Sequence, residues 1–278
     1  MLVIGGTDCG KTSYSGVLTA MLRAAGATVA FIDADIGQKD VGPPATISLA
    51  RLQGEAALAQ ARPDALYFVG DVDPIGHFLP MIVGTRRMAD AAQSDFAVID
   101  TAGLIEGPGR ALNAYQIESL RPDAIVAIER ARELEPTLRS HPHCPALRLR
   151  PSSRAAAKSD AARKRARERA FRDYFAAARD LTLDLERLAM QRTRLLAGEP
   201  PVDPRALAPD FADHLLCGVL DAQGECSGLG LIERIELPAR RLRLHTPVLR
   251  ARIRALQLGD LYVGRDGRFL GRRRPGLF

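Results

Sequence analysis

The stretch "GGTDCGKTS", residues 5–13, decides the fold, because it fits the pattern G-x-x-x-x-G-K-[ST] of a loop that cradles phosphates. In such a loop, glycines let backbone N–H groups turn inward, and the following helix adds its positive N-terminal end. We expect Lys11 to act in catalysis by reaching the β- and γ-phosphates of a nucleoside triphosphate, and the Thr12 hydroxyl to bind Mg²⁺. The predicted nucleotide-binding residues are Gly5, Gly6, Thr7, Asp8, Cys9, Gly10, Lys11, Thr12 and Ser13.

Around this loop, apolar strand-like runs alternate with helical stretches over residues 1–150. The runs "MLVIGG", "ATVAFIDAD", "ALYFVG", "FAVIDTAG" and "AIVAIE" predict five strands, and "KTSYSGVLTAMLRAAG" predicts a helix that ends at Gly26. Such strands are typical of a parallel sheet with helices on both faces, so we predict an α/β fold of the P-loop NTPase class. Because ligands bind at the carboxyl ends of parallel strands, we expect four segments to converge. They are residues 5–12, Asp33 with Asp35, residues 70–73 and residues 100–103.

The composition changes at residues 148–175, which are rich in alanine and arginine. From residue 148 to 172 there are ten Lys or Arg against two Asp or Glu, a local excess of +8 that is larger than the net charge of +6 of the whole chain. We predict a basic helix over this range, continued by an amphipathic helix over residues 176–200. The alternative for the basic run is a solvated arginine-rich helix.

The sequence also predicts a division into two domains. "GEPPVDP", residues 198–204, has the composition of a linker or turn. Beyond residue 212 the pattern changes to short strands separated by turns, which predicts a small β-rich C-terminal lobe. We therefore expect a P-loop domain over residues 1–200 and a small β-rich domain over residues 205–278.

Carboxylates at strand ends are candidates for holding a metal ion and accepting protons. Asp100 follows an apolar strand, the usual setting of an acid that orients magnesium, and Asp33 and Asp35 follow another. We expect Asp35 and Asp100 to join Thr12 around Mg²⁺; the alternative for each acid is a helix cap or a turn. "DTAG" at residues 100–103 also occurs in GTP-hydrolysing switch proteins, but the chain contains no guanine-reading N/T-K-x-D motif.

Charge and cysteine usage bear on location and partners. A basic chain often meets polyanions. The cysteines at positions 9, 144, 217 and 226 have no C-x-x-C spacing, which indicates reduced thiols in the cytoplasm. No apolar run approaches the roughly 20 residues that span a bilayer, and we expect no signal peptide and no membrane partner.

Several motifs together resemble those of a known family. They are "TDCGKTS", "DADIGQ" followed by "GPPATISL", "LYFVGDVDP", "DTAGLIEGPG" and "KSDAARKRARERAFRDYF". In this order they resemble the polynucleotide 5′-hydroxyl kinases, which include the eukaryotic mRNA 3′-end-processing and rRNA-processing kinases and their archaeal relatives. The resemblance covers about residues 1–175, and "CGVLDAQGECSGLGLIERIE" is similar to the small β lobe of archaeal members.

The resemblance implies roles for individual residues. Asp35 lies where the family has its general base, which accepts the proton of the attacking 5′-hydroxyl. The resemblance also implies that the basic run over about residues 148–175 is a lid. In this lid, Lys158, Arg163 and Arg167 align with the family pattern and would act on the transferring phosphoryl group. The predicted substrate-binding residues are Asp33, Gln38, Asp73, Thr101, Gly103 and Arg154. Asp73 is included because it lies at the end of a predicted strand.

Three departures from the family pattern bear on these roles. Lys158 stands where the family has arginine, so a two-pronged clamp could be lost or moved to Arg154 or Arg163. Leu104 replaces a tryptophan, which puts a base-stacking contact in doubt. The N-terminal domain of the eukaryotic members is expected to be absent, which would loosen selectivity for the nucleotide base.

Three functional hypotheses follow. The first is a kinase that transfers the γ-phosphate of ATP, or of another NTP, to the 5′-hydroxyl of RNA or DNA with Mg²⁺. The second is a switch or regulatory NTPase whose basic helix binds a partner protein, and the third is a small-molecule kinase or ligase of the same fold. The missing guanine motif disfavours the second, and the basic lid disfavours the third. Protein partners are not predicted.

Overall fold

The computed structural model describes residues 1–52, 58–192 and 213–273. The helices are α1 Lys11–Ala24, α2 Phe78–Asp90, α3 Pro108–Leu120, α4 Glu135–Arg139 and α5 Asp160–Phe175. The strands are β1 Leu2–Gly5, β2 Val29–Ala34, β3 Thr46–Leu52, β4 Ala65–Phe68, β5 Phe96–Thr101, β6 Ile125–Ile128, β7 Ala146–Leu149, β8 Arg179–Asp184, β9 Ala189–Arg192, β10 Leu215–Leu220, β11 Cys226–Glu236, β12 Arg241–Thr246, β13 Ala255–Val263 and β14 Phe269–Arg272.

The chain divides into two compact units. The first contains residues 1–42, 47–65 and 73–163, and the second contains residues 43–46, residues 66–72 and the described residues beyond 163. The boundary predicted between residues 200 and 205 lies outside the described residues. The division into domains over 1–200 and 205–278 therefore stays a prediction.

The first unit is built on a mainly parallel sheet in the order β3-β2-β5-β1-β6-β7. All neighbours are parallel except β3, which runs antiparallel to β2 and was not among the predicted strands. Of the predicted strands, "ALYFVG" gives β4, which belongs to the second unit and pairs there with β11. The predicted α/β fold is confirmed, with an antiparallel strand added to the parallel core.

Apolar side chains cover both faces of this sheet. One face carries Val3, Phe31 and Val98, which pack with side chains of α1 such as Leu18. Alternate positions on the same strands, among them Ile4, are also fully buried. Because successive side chains of a strand point to opposite faces, burial at adjacent positions places protein on both faces of the sheet, as predicted.

The second unit is mainly antiparallel. Strand β10 lies between β11 and β13, β12 joins β11 to β8, β14 extends β13, and β9 is parallel to β13. The residues of α5 from 164 onward pack against this sheet, with Phe171 and Phe175 buried beside Leu216, Leu229 and Leu261. The prediction of β-rich structure beyond residue 212 is therefore confirmed.

Two helix predictions were wrong. Residues 148–159 are not helical: β7 ends at residue 149, and α5 begins only at Asp160, after Pro151 and a pair of serines. Residues 179–184 form β8 instead of continuing as helix. The run "RDLTLD" alternates leucines with polar residues, and this period of two fits a strand.

Candidate active site

The phosphate loop connects β1 to α1 in a tight turn. Asp8 and Gly10 adopt positive φ angles of 57° and 88°, which turn the backbone around the loop. A Cβ atom on Gly5 would lie 2.5 Å from the carbonyl oxygen of Ile128, so only glycine fits the end of β1. The side chain of Lys11 is buried over the loop, and its Nζ donates to the carbonyl of Gly6 at 3.0 Å. This is the strand–loop–helix geometry that the motif predicts.

Thr12 and Asp100 lie together beside the loop. The Thr12 hydroxyl donates to Oδ2 of Asp100 at 2.5 Å. Oδ1 of Asp100 is buried and accepts no hydrogen bond from any described residue. Burial, and then the nearby carboxylate of Asp33, raises the pKa of Asp100 to about 7. A buried carboxylate oxygen without a donor is a suitable ligand for a hard cation.

Asp33 organises the loop that follows β2. Its Oδ2 accepts from the backbone N–H groups of Asp40 and Val41, and its Oδ1 accepts from that of Asp35. The buried ammonium of Lys39 lies 3.1 Å from Oδ1 and also donates to the carbonyl of Asp33. These contacts involve both oxygens of Asp33 and hold the loop in place. The predicted substrate contact of Asp33 stays a prediction.

Asp35 is presented at the centre of this loop. Its Oδ1 accepts from the backbone N–H groups of Gly37 and Gln38, both at 2.9 Å. Its Oδ2 makes no hydrogen bond with any residue in the described ranges, so this oxygen is available to a ligand. Burial, and then the charge of Asp33, raises the pKa of Asp35. A carboxylate of raised basicity with one oxygen held and one available fits a general base.

The segment after β5 packs directly on the phosphate loop. A Cβ on Gly103 would lie 2.5 Å from Oγ1 of Thr7, so glycine permits the close approach of the two segments. Thr101 is buried, and its hydroxyl donates to the carbonyl of Val3 at 2.8 Å. Thr101 therefore joins β5 to β1. Its predicted substrate contact stays a prediction.

The carboxylate of Asp8 connects the phosphate loop to the basic segment. Its Oδ2 accepts from the backbone N–H of Lys158 and from Nη2 of Arg163, both at 2.9 Å. Nη1 of Arg163 in turn donates to the carbonyl of Lys158. Two of the predicted lid residues are thus held at the phosphate loop, but Lys158 precedes α5 and contacts the loop through its backbone.

The other predicted residues are distributed more widely. Arg154 is exposed before α5, and its backbone N–H donates to Ser152. Asp73 accepts from the backbone N–H of Ile75 in a turn. Gln38 donates through its side chain to the carbonyl of Gly37. Arg167 belongs to the second unit, where it lines a cavity. Their substrate or catalytic roles stay predictions.

Sequence reasoning missed two cations. Lys39 is one of only four lysines in the chain, and that rarity was the available signal. Arg130 follows β6, and its Nη2 donates to the carbonyl of Asp8 at 3.2 Å. Both lie at carboxyl ends of strands, where the fold collects functional groups.

The residues present fit a magnesium ion that is shared with a substrate. Within the described part of the chain, no three His, Cys, Asp or Glu side chains are arranged to hold a metal by themselves. Mg²⁺ usually takes one or two carboxylates together with phosphate oxygens and water. Asp100 with its available oxygen, the neighbouring Thr12 hydroxyl and Asp35 provide such a partial ligand set.

The charge of Asp100 carries a stability cost that depends on pH. When the pKa of a carboxyl is higher in the folded than in the unfolded protein, ionisation of that carboxyl destabilises the fold. The destabilisation begins as pH rises above the unfolded-state pKa and is complete above the folded-state pKa. The difference between 3.8 and about 7 corresponds to roughly 4 kcal/mol. We expect Asp100→Asn to raise the melting temperature of the metal-free protein by several degrees at pH 8, and by much less at pH 5.

The measurement is thermal unfolding in chelator at both pH values. Asp95→Asn is the matched control, because hydrogen bonds from Thr28 lower the pKa of Asp95. Its replacement is expected to shift the melting temperature in the opposite direction at pH 8. An Asp100→Asn effect that is the same at both pH values would show that this carboxyl imposes no such cost.

Comparison with known proteins places the chain in a family. The family model for the P-loop of the mRNA cleavage and polyadenylation factor CLP1 matches residues 5–177. The chain belongs to the CLP1 P-loop family. The polyribonucleotide 5′-hydroxyl-kinase of Pyrococcus horikoshii is 32% identical over an alignment that covers 98% of this chain and 88% of that protein. The corresponding kinase of Methanocaldococcus jannaschii is 28% identical, with 98% and 89% covered.

Solved structures of the family share its fold. Wild-type Clp1p, in complex with Pcf11p, matches with a TM-score of 0.70 at 16% identity, covering 93% of this chain and 73% of that one. A second Clp1p–Pcf11p structure, which concerns ATP loss in a point mutant of that protein, matches with a TM-score of 0.71 at 15% identity. Membership of this P-loop family implies that the CLP1-type loop of the present chain binds a nucleotide.

None of the described helices combines the length and the apolar character that a membrane-crossing helix requires.

Proposed function

We propose that the protein is a polynucleotide 5′-hydroxyl kinase that transfers the γ-phosphate of ATP, or of another NTP, to the 5′-hydroxyl of RNA or DNA. The observation that carries the proposal is Asp35, which presents an available carboxylate oxygen in the same unit as the phosphate loop. The relatives named polyribonucleotide 5′-hydroxyl-kinases support the proposal and favour RNA as the acceptor.

The proposed reaction follows from the placement of these groups. The 5′-oxygen of the acceptor forms a bond to the γ-phosphorus, and the bond from that phosphorus to the bridging oxygen of the β-phosphate breaks. Oδ2 of Asp35 takes the proton of the 5′-hydroxyl. Lys11 stabilises the negative charge on the β- and γ-phosphate oxygens.

Magnesium is part of the proposal. Thr12, Asp100 and Asp35 would hold Mg²⁺, which would supply charge neutralisation at the β- and γ-phosphates when bound. Asp33, held by Lys39 and by backbone N–H groups, fixes the loop that carries Asp35. In this account Lys39 positions the base and does not itself touch the substrate.

Arg163 is proposed to act on the transferring group. Its ion pair with Asp8 holds its guanidinium beside the phosphate loop. Negative charge spreads over the equatorial oxygens of the transferring phosphoryl in the transition state, and a nearby guanidinium stabilises it there.

We expect Arg163→Ala to lower kcat by about 10²-fold or more while changing oligonucleotide affinity only slightly. Arg169→Ala is the control, since it removes the same charge from an exposed position of α5. It is expected to keep kcat and to raise KM modestly. Steady-state kinetics of both variants give the answer, and an unchanged kcat in Arg163→Ala would remove this residue from the mechanism.

The proposed function is tested by offering several acceptors with γ-labelled ATP. These are a 5′-hydroxyl oligoribonucleotide, the matching oligodeoxyribonucleotide and a free nucleoside, each at two salt concentrations. Phosphate contacts make polynucleotide binding strongly salt-dependent, so KM for the oligonucleotides should rise with salt. A nucleoside that is phosphorylated as efficiently as the oligonucleotides would instead favour a small-molecule kinase.

A further inference from the structure

A cavity of about 300 Å³ lies within the second unit, between α5 and the β13–β14 hairpin. Its apolar lining consists of Val72, Phe171, Leu261 and Phe269. Phe171 and Leu261 are buried, whereas Phe269 is 43% exposed. An aromatic ring that is exposed at the opening of an apolar cavity provides a flat surface for another ring.

The rim of the cavity is basic. Lys164, Arg167 and Arg272 line it, together with the acid Glu168. Arg272 is paired with the buried carboxylate of Asp71 at 3.0 Å. Glu168 accepts from the backbone N–H of Phe269 and lies 3.9 Å from the ammonium of Lys164. The side chain of Lys164 remains 57% exposed. Cations beside an aromatic surface are the combination that binds single-stranded nucleic acids.

The backbone of the hairpin is pressed against the helix. Gly267 has a φ of 82°, and a Cβ there would lie 2.1 Å from the carbonyl of Glu168 and 2.6 Å from the backbone nitrogen of Arg172. The wall that carries Phe269 is therefore fixed against α5 before any ligand arrives. A preformed cavity avoids the cost of ordering a loop on binding.

We propose that this cavity receives one unpaired base of the polynucleotide acceptor, at a position downstream of its 5′ end. The base stacks on Phe269, and the flanking phosphates lie against Lys164 and Arg167. This inference rests on the proposed function, and it assigns Arg167 to acceptor binding instead of to the transferring phosphoryl group. A polynucleotide would therefore bind more tightly than a nucleoside, which has no downstream base to occupy the cavity.

The test combines Phe269→Ala with single abasic positions along a 5′-hydroxyl oligoribonucleotide. With the wild-type protein, one downstream abasic position is expected to raise KM about 10-fold, within the range measured for base–aromatic stacking. Phe269→Ala is expected to raise KM for the intact oligonucleotide by a similar factor, to keep kcat and to lose sensitivity at that position. The matched control is Leu270→Ala, an exposed apolar neighbour that does not line the cavity, and it should behave as wild type.

Two further measurements keep this inference separate from the proposed function. Anisotropy of a labelled oligonucleotide reports binding whether or not transfer occurs, and Phe269→Ala should weaken it about 10-fold. Lys164→Gln should weaken it for all sequences and reduce the salt slope by about one. Unchanged oligonucleotide binding in a folded Phe269→Ala protein would overturn the inference. So would a result in which Phe269→Ala weakens the binding of poly-glutamate as much as that of the oligonucleotide. Normal binding without transfer would contradict only the kinase.

Discussion

Lys11→Ala is expected to abolish phosphoryl transfer, with kcat/KM reduced by about 10³-fold or more. Lys11 is the first residue of α1, and its buried ammonium already lies over the phosphate loop, 3.0 Å from the carbonyl of Gly6. Its position lets it reach the β- and γ-phosphates while the backbone N–H groups of the loop hold them. Removing the cation leaves the charge that develops during transfer without its principal partner.

The control for this variant is Lys11→Met, which keeps the length of the apolar stem and removes only the charge. Both variants should be equally inactive and should retain the unfolding transition of the wild-type protein. Near-normal transfer by a folded Lys11→Ala protein would contradict the assignment of the phosphate loop.

Asp35→Asn is expected to bind NTP normally but to lose about 10²- to 10⁴-fold in kcat, the usual contribution of a general base. The amide preserves the acceptor that Gly37 and Gln38 use, yet it cannot accept the proton of the 5′-hydroxyl. Asp100→Asn is expected to differ, because its main effect should be a higher Mg²⁺ requirement.

Kinetics of the two variants at saturating NTP, over a range of Mg²⁺ concentrations, distinguish these roles. Excess Mg²⁺ should restore part of the activity of Asp100→Asn and none of that of Asp35→Asn. If Asp35→Asn behaved as wild type and Asp100→Asn were inactive at every Mg²⁺ concentration, the base would have been assigned to the wrong residue.

Local sequence patterns predicted the parts of the site that depend on local structure. The phosphate loop is a short motif, and its tight backbone turn around phosphates requires the glycines and the lysine at their positions. The strand ends that carry Asp35 and Asp100 follow from apolar runs of the length of a strand. The register of β2 and β5 then places Asp33 beside Asp100, as expected for neighbouring parallel strands.

Contacts between distant segments could not be predicted in the same way. The hydroxyl of Thr101 donates to the carbonyl of Val3 in β1, which is 98 residues away in the chain. Asp8 meets Arg163 across 155 residues. Such contacts depend on the tertiary fold, and a single sequence shows only that the residues are polar. The late start of α5 was a different kind of error, because Pro151 signals a break that the helical composition obscured.

Asp8 illustrates what the structure adds to the motif. The phosphate-loop pattern leaves this position unspecified, yet its carboxylate holds both the backbone of Lys158 and the guanidinium of Arg163. The basic segment is thereby attached to the loop that is proposed to bind the triphosphate. This link provides a physical route by which occupation of the loop and placement of Arg163 can depend on each other.

The position of the transferred phosphate distinguishes a polynucleotide kinase from a nucleotide hydrolase. The protein is incubated with γ-labelled ATP, Mg²⁺ and two oligoribonucleotides of different length, one with a 5′-hydroxyl and one with a 5′-phosphate. We expect the label only on the 5′-hydroxyl oligonucleotide, at its 5′ end and removable by phosphatase, and no label with Lys11→Ala. Label released solely as inorganic phosphate, with both oligonucleotides unlabelled, would contradict the account and identify a nucleotide hydrolase.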